Sequence, residues 1–145
     1  MPSLSHHSLA FHYDSLEEAF PKADPGVYPF GPRVLVQLRS PKSKTRSGLY
    51  LTSETRETEA YNTQVGLVRA VGPLAFRARS DLTPWPEGAW ASEGDYVRVP
   101  KSGGDRWEID LDRNNPDAKV LFVIFEDKDL IGKITGNPLD MKAFV

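Results

Sequence analysis

Proline and glycine interrupt this chain so often that long regular segments cannot form. The 145 residues include 12 prolines and 11 glycines, spread over most of the sequence. Proline removes a backbone donor and glycine weakens a helix interior, so the segments between them must be short. Short apolar segments separated by turn residues are typical of an all-β protein. The length fits a single domain with one sizeable core.

Charge and composition argue against several classes of protein. A formal net charge of -2 gives no strong field toward nucleic acid or an anionic membrane. Without cysteine there is no disulfide framework, thiol nucleophile or cysteine-based zinc site, and we expect a cytoplasmic protein. The longest apolar run, 120–125, has the length of a strand, so neither a membrane span nor a secretion signal is expected.

Six segments have the residue pattern of β-strands. They are 34–38, 65–72, 94–100, 105–111, 120–125 and 129–134. The segment 120–125 is apolar at consecutive positions, so both of its faces should be covered. We expect the core on one face and another subunit on the other.

The second strand segment raises a question of register. Strict alternation places Val65, Leu67 and Val71 on one face and Val68 on the other. Gly66 inside this strand indicates a bulge or a close approach of another part of the chain.

The chain can be divided into a body that contains these strands and an extension at each end. Residues 1–28 form an N-terminal extension with a possible capping box, Ser15 and Glu18, and a short helix. The body spans 29–134, and 135–145 is a C-terminal tail. Within the body, 40–62 is a long polar stretch that predicts a mobile loop, and 73–93 is an excursion with two tryptophans.

An apolar triplet lies inside the polar stretch. Leu49, Tyr50 and Leu51 are flanked on both sides by serine, threonine and charged residues. Such a triplet can be a short edge strand on the protein's own core, or a hydrophobic hook for a partner. The local sequence leaves both interpretations open.

The order of these segments resembles the co-chaperonin (GroES) family, which forms the lid of the chaperonin folding chamber. Five motifs carry the resemblance, in this order: PFGPRVLVQL at 29–38, SGLYLT at 47–52, VGLVRAVG at 65–72, EGDYVRV at 93–99 and VLFVIFEDKDLIGKI at 120–134. There are departures. Ser47 replaces the first of two glycines that the family often has, Tyr50 is bulkier than usual, and the 73–93 excursion and both ends are longer. These departures suggest a specialised member, for example a virus-encoded one.

The resemblance implies a GroES-like irregular β-barrel that assembles into a ring of seven and caps a chaperonin double ring. It assigns chaperonin binding to Gly48, Leu49, Tyr50, Leu51 and Thr52. It assigns the contact between ring subunits to Val34, Val36, Leu38, Leu130, Ile131 and Ile134, for which an ordinary core within the chain is an alternative. Trp85 and Trp90 fall in the roof hairpin, where Trp90 is expected to pack locally and Trp85 is undecided. No cofactor is expected, because the partner hydrolyses the ATP.

Two other classes of function stay open beside the co-chaperonin. One is a structural shell or virion subunit, in which residues 49–51 would be a fixed contact. The other is a nucleic-acid-binding β-barrel, which would combine arginines near 77–79 with the two tryptophans. An enzyme is not expected, because His6, His7 and His12 all lie in the N-terminal extension and no catalytic or metal-binding group can be distinguished from solvated carboxylates.

Overall fold

The computed structural model describes residues 15–40, 63–115 and 118–141. These residues form one short helix and six strands, with a single 3-10 turn at Asp127–Asp129. The helix is α1 (Leu16–Ala19), and the strands are β1 (Arg33–Leu38), β2 (Val65–Val71), β3 (Tyr96–Arg98), β4 (Asp105–Asp110), β5 (Lys119–Glu126) and β6 (Gly132–Lys133). Each predicted strand segment overlaps one of them. The all-β, GroES-like fold class is confirmed.

All six strands belong to one antiparallel sheet in the order β4-β5-β1-β2-β3-β6. The central strand β1 is hydrogen-bonded on both sides. Its Val36 lies opposite Val68 of β2 on one side and opposite Val123 of β5 on the other. The edge strands of the described sheet are β4 and β6.

The main core lies on one face of this sheet. Four strands and the 73–93 excursion contribute to it, because alternate residues of a strand point to the same face. Its buried members are Val34, Val36, Leu38, Val68, Phe76, Ala91, Val97, Val99, Val123, Phe125 and Leu130. The excursion therefore covers this core.

The second face of the sheet is covered by the chain's own N-terminal extension. Leu35 and Phe122 are buried there, and Ala23 packs against their cluster. Trp107 stacks on Phe122 and donates its indole N–H to the Pro25 carbonyl at 2.9 Å. The sequence suggested another subunit as the cover of this face, whereas the same chain supplies it.

A β-bulge in β2 changes which residues share a face. Leu35 lies opposite Ala70 and Val36 opposite Val68, so Arg69 has no opposite residue of its own on β1. One extra residue on a strand shifts the alternation of its side chains by one position.

The predicted faces of β2 are therefore correct only before the bulge. Val65 and Leu67 pack in one cluster, as alternation requires. Val71, which strict alternation placed with them, packs instead against the main core that contains Val68.

The N-terminal helix begins as the capping-box pattern predicts. The Ser15 hydroxyl accepts the Glu18 backbone N–H at 3.1 Å, and the helix ends before Pro21. Ala19 and Phe20 are buried, so this single turn is stabilised by docking on the body rather than by its own length. In the described ranges, no helix has the length and apolar character needed to cross a membrane.

Candidate functional site

The residues predicted to bind a chaperonin lie outside the described part of the chain. Gly48, Leu49, Tyr50, Leu51 and Thr52 fall within 41–62, for which the structure gives no description. The structure does describe the residues on either side of that segment, 39–40 and 63–64, which we call the loop roots.

The loop roots lie side by side at one end of the β1–β2 pair. The backbone N–H of Arg39 donates to the Val65 carbonyl at 3.0 Å. The Gln64 carbonyl accepts the N–H of Val99 at 3.0 Å, which joins the second root to the residue after β3. The 40–62 loop therefore connects two antiparallel strands, and hydrogen bonds hold the residues on either side of it in the sheet.

A separate apolar cluster lies beneath the loop roots, and we call it the root cluster. The Phe20 and Tyr96 rings contact each other in it, with centroids 5.2 Å apart. Both terminal extensions contribute. Its members are Ala19, Phe20, Val65, Leu67 and Ile134, with Tyr96, Leu139 and Met141 packed against them.

Two polar groups connect the first root to these extensions. The Ser40 backbone N–H donates to the Ala19 carbonyl at 2.8 Å. The Arg39 guanidinium, only 3% exposed, donates to the Pro138 carbonyl at 2.8 Å and also to the Met141 carbonyl. The sequence pattern alone does not single out Arg39, although it shows an arginine at the start of the loop and apolar residues in the C-terminal tail.

Three of the residues assigned to the ring interface lie in the interior of the chain itself. Val34, Val36 and Leu38 are 0% exposed and belong to the main core. Both edges of β1 are already paired, with β2 and β5, so this strand has no edge to offer a neighbouring subunit. These three side chains have the role of intrachain core, which the sequence had left as the alternative.

The C-terminal members of the same set divide into two groups. Leu130 and Ile134 are 5% and 8% exposed and pack inside the chain, whereas Ile131 is 61% exposed. Ile131 directly precedes β6, whose only described partner strand is β3. An open strand edge beside an exposed isoleucine is available for an intersubunit contact.

An ion pair joins β6 to the turn before β3. Lys133 Nζ lies 3.5 Å from the Asp95 carboxylate. The Ser92 backbone N–H, together with this ammonium, keeps the pKa of Asp95 below its ordinary value of 3.8. Asp95 therefore stays ionised at neutral pH and can retain the pair.

A second exposed apolar segment precedes β1. Val27, Tyr28 and Phe30 are 47%, 63% and 80% exposed. The Tyr28 hydroxyl donates to the Val71 carbonyl at 3.2 Å, which ties the segment to the end of β2. Large apolar side chains exposed at neighbouring positions indicate an interaction surface.

The two roof tryptophans pack locally. Trp85 and Trp90 lie 4.7 Å apart between ring centroids and both contact Phe76, which is buried in the main core. Residues 77 and 84 form an isolated bridge, so the start of the excursion has a hairpin-like form.

The described residues contain no group of three or more histidine, cysteine or acidic side chains suited to a metal ion. A comparison with curated proteins found no match. The family model described as the chaperonin 10 Kd subunit matches residues 26–134, most of the chain. This match covers the sheet, the loop roots, the loop between them and the roof. Members of the family are oligomers that act together with a chaperonin. The chain therefore belongs to the chaperonin 10 family, the GroES-type co-chaperonins.

Proposed function

We propose that this protein forms a ring of seven subunits that caps a chaperonin folding chamber through Leu49, Tyr50 and Leu51. The family match over 26–134 carries the proposal. It is supported by the position of the triplet, on the connection between two strands whose base is closed by hydrogen bonds.

The energetics of the triplet suit a lid that must be released. Fully burying one large apolar side chain contributes roughly 1.5–3 kcal/mol, so three contribute at most about 5–9 kcal/mol. Ordering the backbone costs about 1–2 kcal/mol for each residue fixed. A single loop therefore binds weakly. A ring of identical loops binds tightly, because every contact after the first is intramolecular.

The ring is proposed to close between the exposed segment 27–30 of one subunit and the open edge of β6 in the next. The exposure of Phe30 and Ile131, 80% and 61%, supports this choice. Burying both side chains at the contact removes apolar surface from water without disturbing the core of either subunit.

The triplet is tested with Tyr50→Asp, using Tyr50→Phe as the matched control. Because a charge enters an apolar groove only at a high cost in free energy, Tyr50→Asp should abolish capping while the ring remains intact. Tyr50→Phe keeps the ring and the apolar contact and should still cap. The measurement is ATP-dependent refolding of a denatured substrate protein by a purified bacterial chaperonin double ring.

Refolding by the Tyr50→Asp variant at the unmodified rate would show that the triplet is not the binding element. Failure of the unmodified protein to support refolding would contradict the co-chaperonin proposal for that chaperonin.

A further inference from the structure

Both terminal extensions reach the same root of the loop. On the N-terminal side, the Ala19 carbonyl accepts the Ser40 N–H at 2.8 Å. On the C-terminal side, a turn at 137–141 supplies two carbonyls to the Arg39 guanidinium. The first root is therefore held from two directions by segments at opposite ends of the sequence.

The C-terminal turn has hydrogen bonds of its own that do not involve the arginine. The Asn137 side-chain oxygen accepts the Leu139 N–H at 2.9 Å, and the Asn137 carbonyl accepts the Asp140 N–H at 3.1 Å. Leu139 and Met141 pack on the root cluster. These contacts hold two backbone carbonyls where one guanidinium group reaches both.

An arginine suits this position better than any other cation. Arg39 is 3% exposed, and a charge removed from water is tolerated only when hydrogen bonds compensate it. The planar guanidinium is always charged and presents several donors in a fixed geometry. A lysine would keep the charge but lose that geometry.

We propose that Arg39 is a positioning residue for chaperonin binding. By locking the C-terminal turn to the first root, it fixes the direction in which the chain leaves residue 40. A fixed direction reduces the conformational freedom that the loop loses when it binds. In a ring, the effects of the individual loops on affinity for the chaperonin multiply, because all the loops bind together.

This inference rests on the proposed function, and its test separates the two. Arg39→Lys removes the planar guanidinium whose Nη1 donates to both carbonyls, and deletion of 137–145 removes those two acceptors. Asn137→Ala loosens the turn without deleting residues. It replaces the deletion variant if the shortened chain does not assemble into a ring of the full mass. Arg106→Lys is the matched control, because Arg106, which lies in β4 away from the loop roots, also donates to two backbone carbonyls, those of Gly103 and Lys101.

Two quantities are measured on the intact ring. One is the hydrogen-exchange rate of the Ser40 amide in the ring without a chaperonin, measured by mass spectrometry that resolves single amides. The other is the affinity for a purified bacterial chaperonin double ring with ATP. Arg39→Lys and the deletion should each speed the exchange severalfold and weaken binding by about tenfold or more through the multiplied contacts. Arg106→Lys should change neither quantity.

A double variant distinguishes positioning from general destabilisation. If Arg39 acts through the C-terminal turn, Arg39→Lys should have no further effect on affinity in a chain that already lacks 137–145. An equal loss in both backgrounds would overturn the inference, as would unchanged affinity of the single Arg39→Lys variant. If the unmodified ring does not bind this chaperonin, the proposed function fails for that chaperonin, whereas an unchanged Ser40 exchange rate in Arg39→Lys would overturn the inference by itself.

Discussion

At the scale of single residues, Asp127 connects the roof to the body. It is 1% exposed, and its two carboxylate oxygens accept the backbone N–H of Phe76 at 2.9 Å and of Lys128 at 2.7 Å. Phe76 has a φ of 62°, a left-handed conformation that costs a non-glycine residue about 1–2 kcal/mol. The hydrogen bond that the Phe76 N–H donates to Asp127 helps to hold this strained residue over the core.

We expect Asp127→Ala to lower the free energy of unfolding by about 1–3 kcal/mol, because the buried N–H of Phe76 loses its partner. Asp129→Ala, an exposed carboxylate in the same turn, is the control and should have little effect. Urea unfolding at one fixed protein concentration measures both, since the stability of an oligomer depends on concentration. Equal stability of the two variants would contradict the role given to Asp127.

Residues such as Asp127 could not be identified from the sequence. Gln37 is a second example. Alternation along β1 predicts that it points away from the main core, which is correct. It is nevertheless 0% exposed, because it donates to the Pro21 carbonyl at 2.8 Å and accepts the Arg69 Nε–H at 2.7 Å. Its partners are 16 and 32 residues away, and a local pattern carries no information about such contacts.

At the scale of elements, the strands were predictable and their exact faces were not. Short apolar segments bounded by glycine and proline located all six strands. They did so because burial of one strand face leaves a periodic pattern in the local sequence. The bulge at Arg69 and the cover supplied by 20–28 depend on contacts between distant segments. The roles of β1 as central strand and of the tail as a partner of Arg39 were missed for the same reason.

Gly66 tests the close packing of the first two strands. A Cβ added at this position would lie 2.2 Å from Val36 Cγ1, and Val36 is fully buried. We expect Gly66→Ala to destabilise the protein by roughly 1–3 kcal/mol, the usual range for overpacking a core. Gly136→Ala, where an added Cβ meets nothing within 4 Å, is the control for thermal or urea unfolding. A Gly66→Ala variant as stable as this control would show that β1 and β2 have room to separate.

At the scale of the whole molecule, the described chain buries its core without help from a partner, while Phe30 and Ile131 are among its most exposed large apolar side chains. The sheet is covered on one face by the roof excursion and on the other by the N-terminal extension. Phe30 and Ile131 take part in neither cover and are 80% and 61% exposed. A subunit of this kind can fold before it assembles, and in the proposed ring these two side chains supply the apolar contact between subunits.

The mass of the particle tests this arrangement directly. Seven copies of the 16.2 kDa chain have a mass of about 113 kDa. We expect Phe30→Asp to lower the native mass to that of smaller species, because every seam of the ring would have to bury a charge in an apolar contact. Leu111→Asp changes a side chain that is 41% exposed between β4 and β5, away from the proposed seam, and should leave the mass at about 113 kDa. Light scattering over a range of concentrations measures both variants. A Phe30→Asp particle that keeps the full mass would move the seam elsewhere, whereas a concentration-independent monomer of the unmodified chain would remove the multivalency on which capping depends.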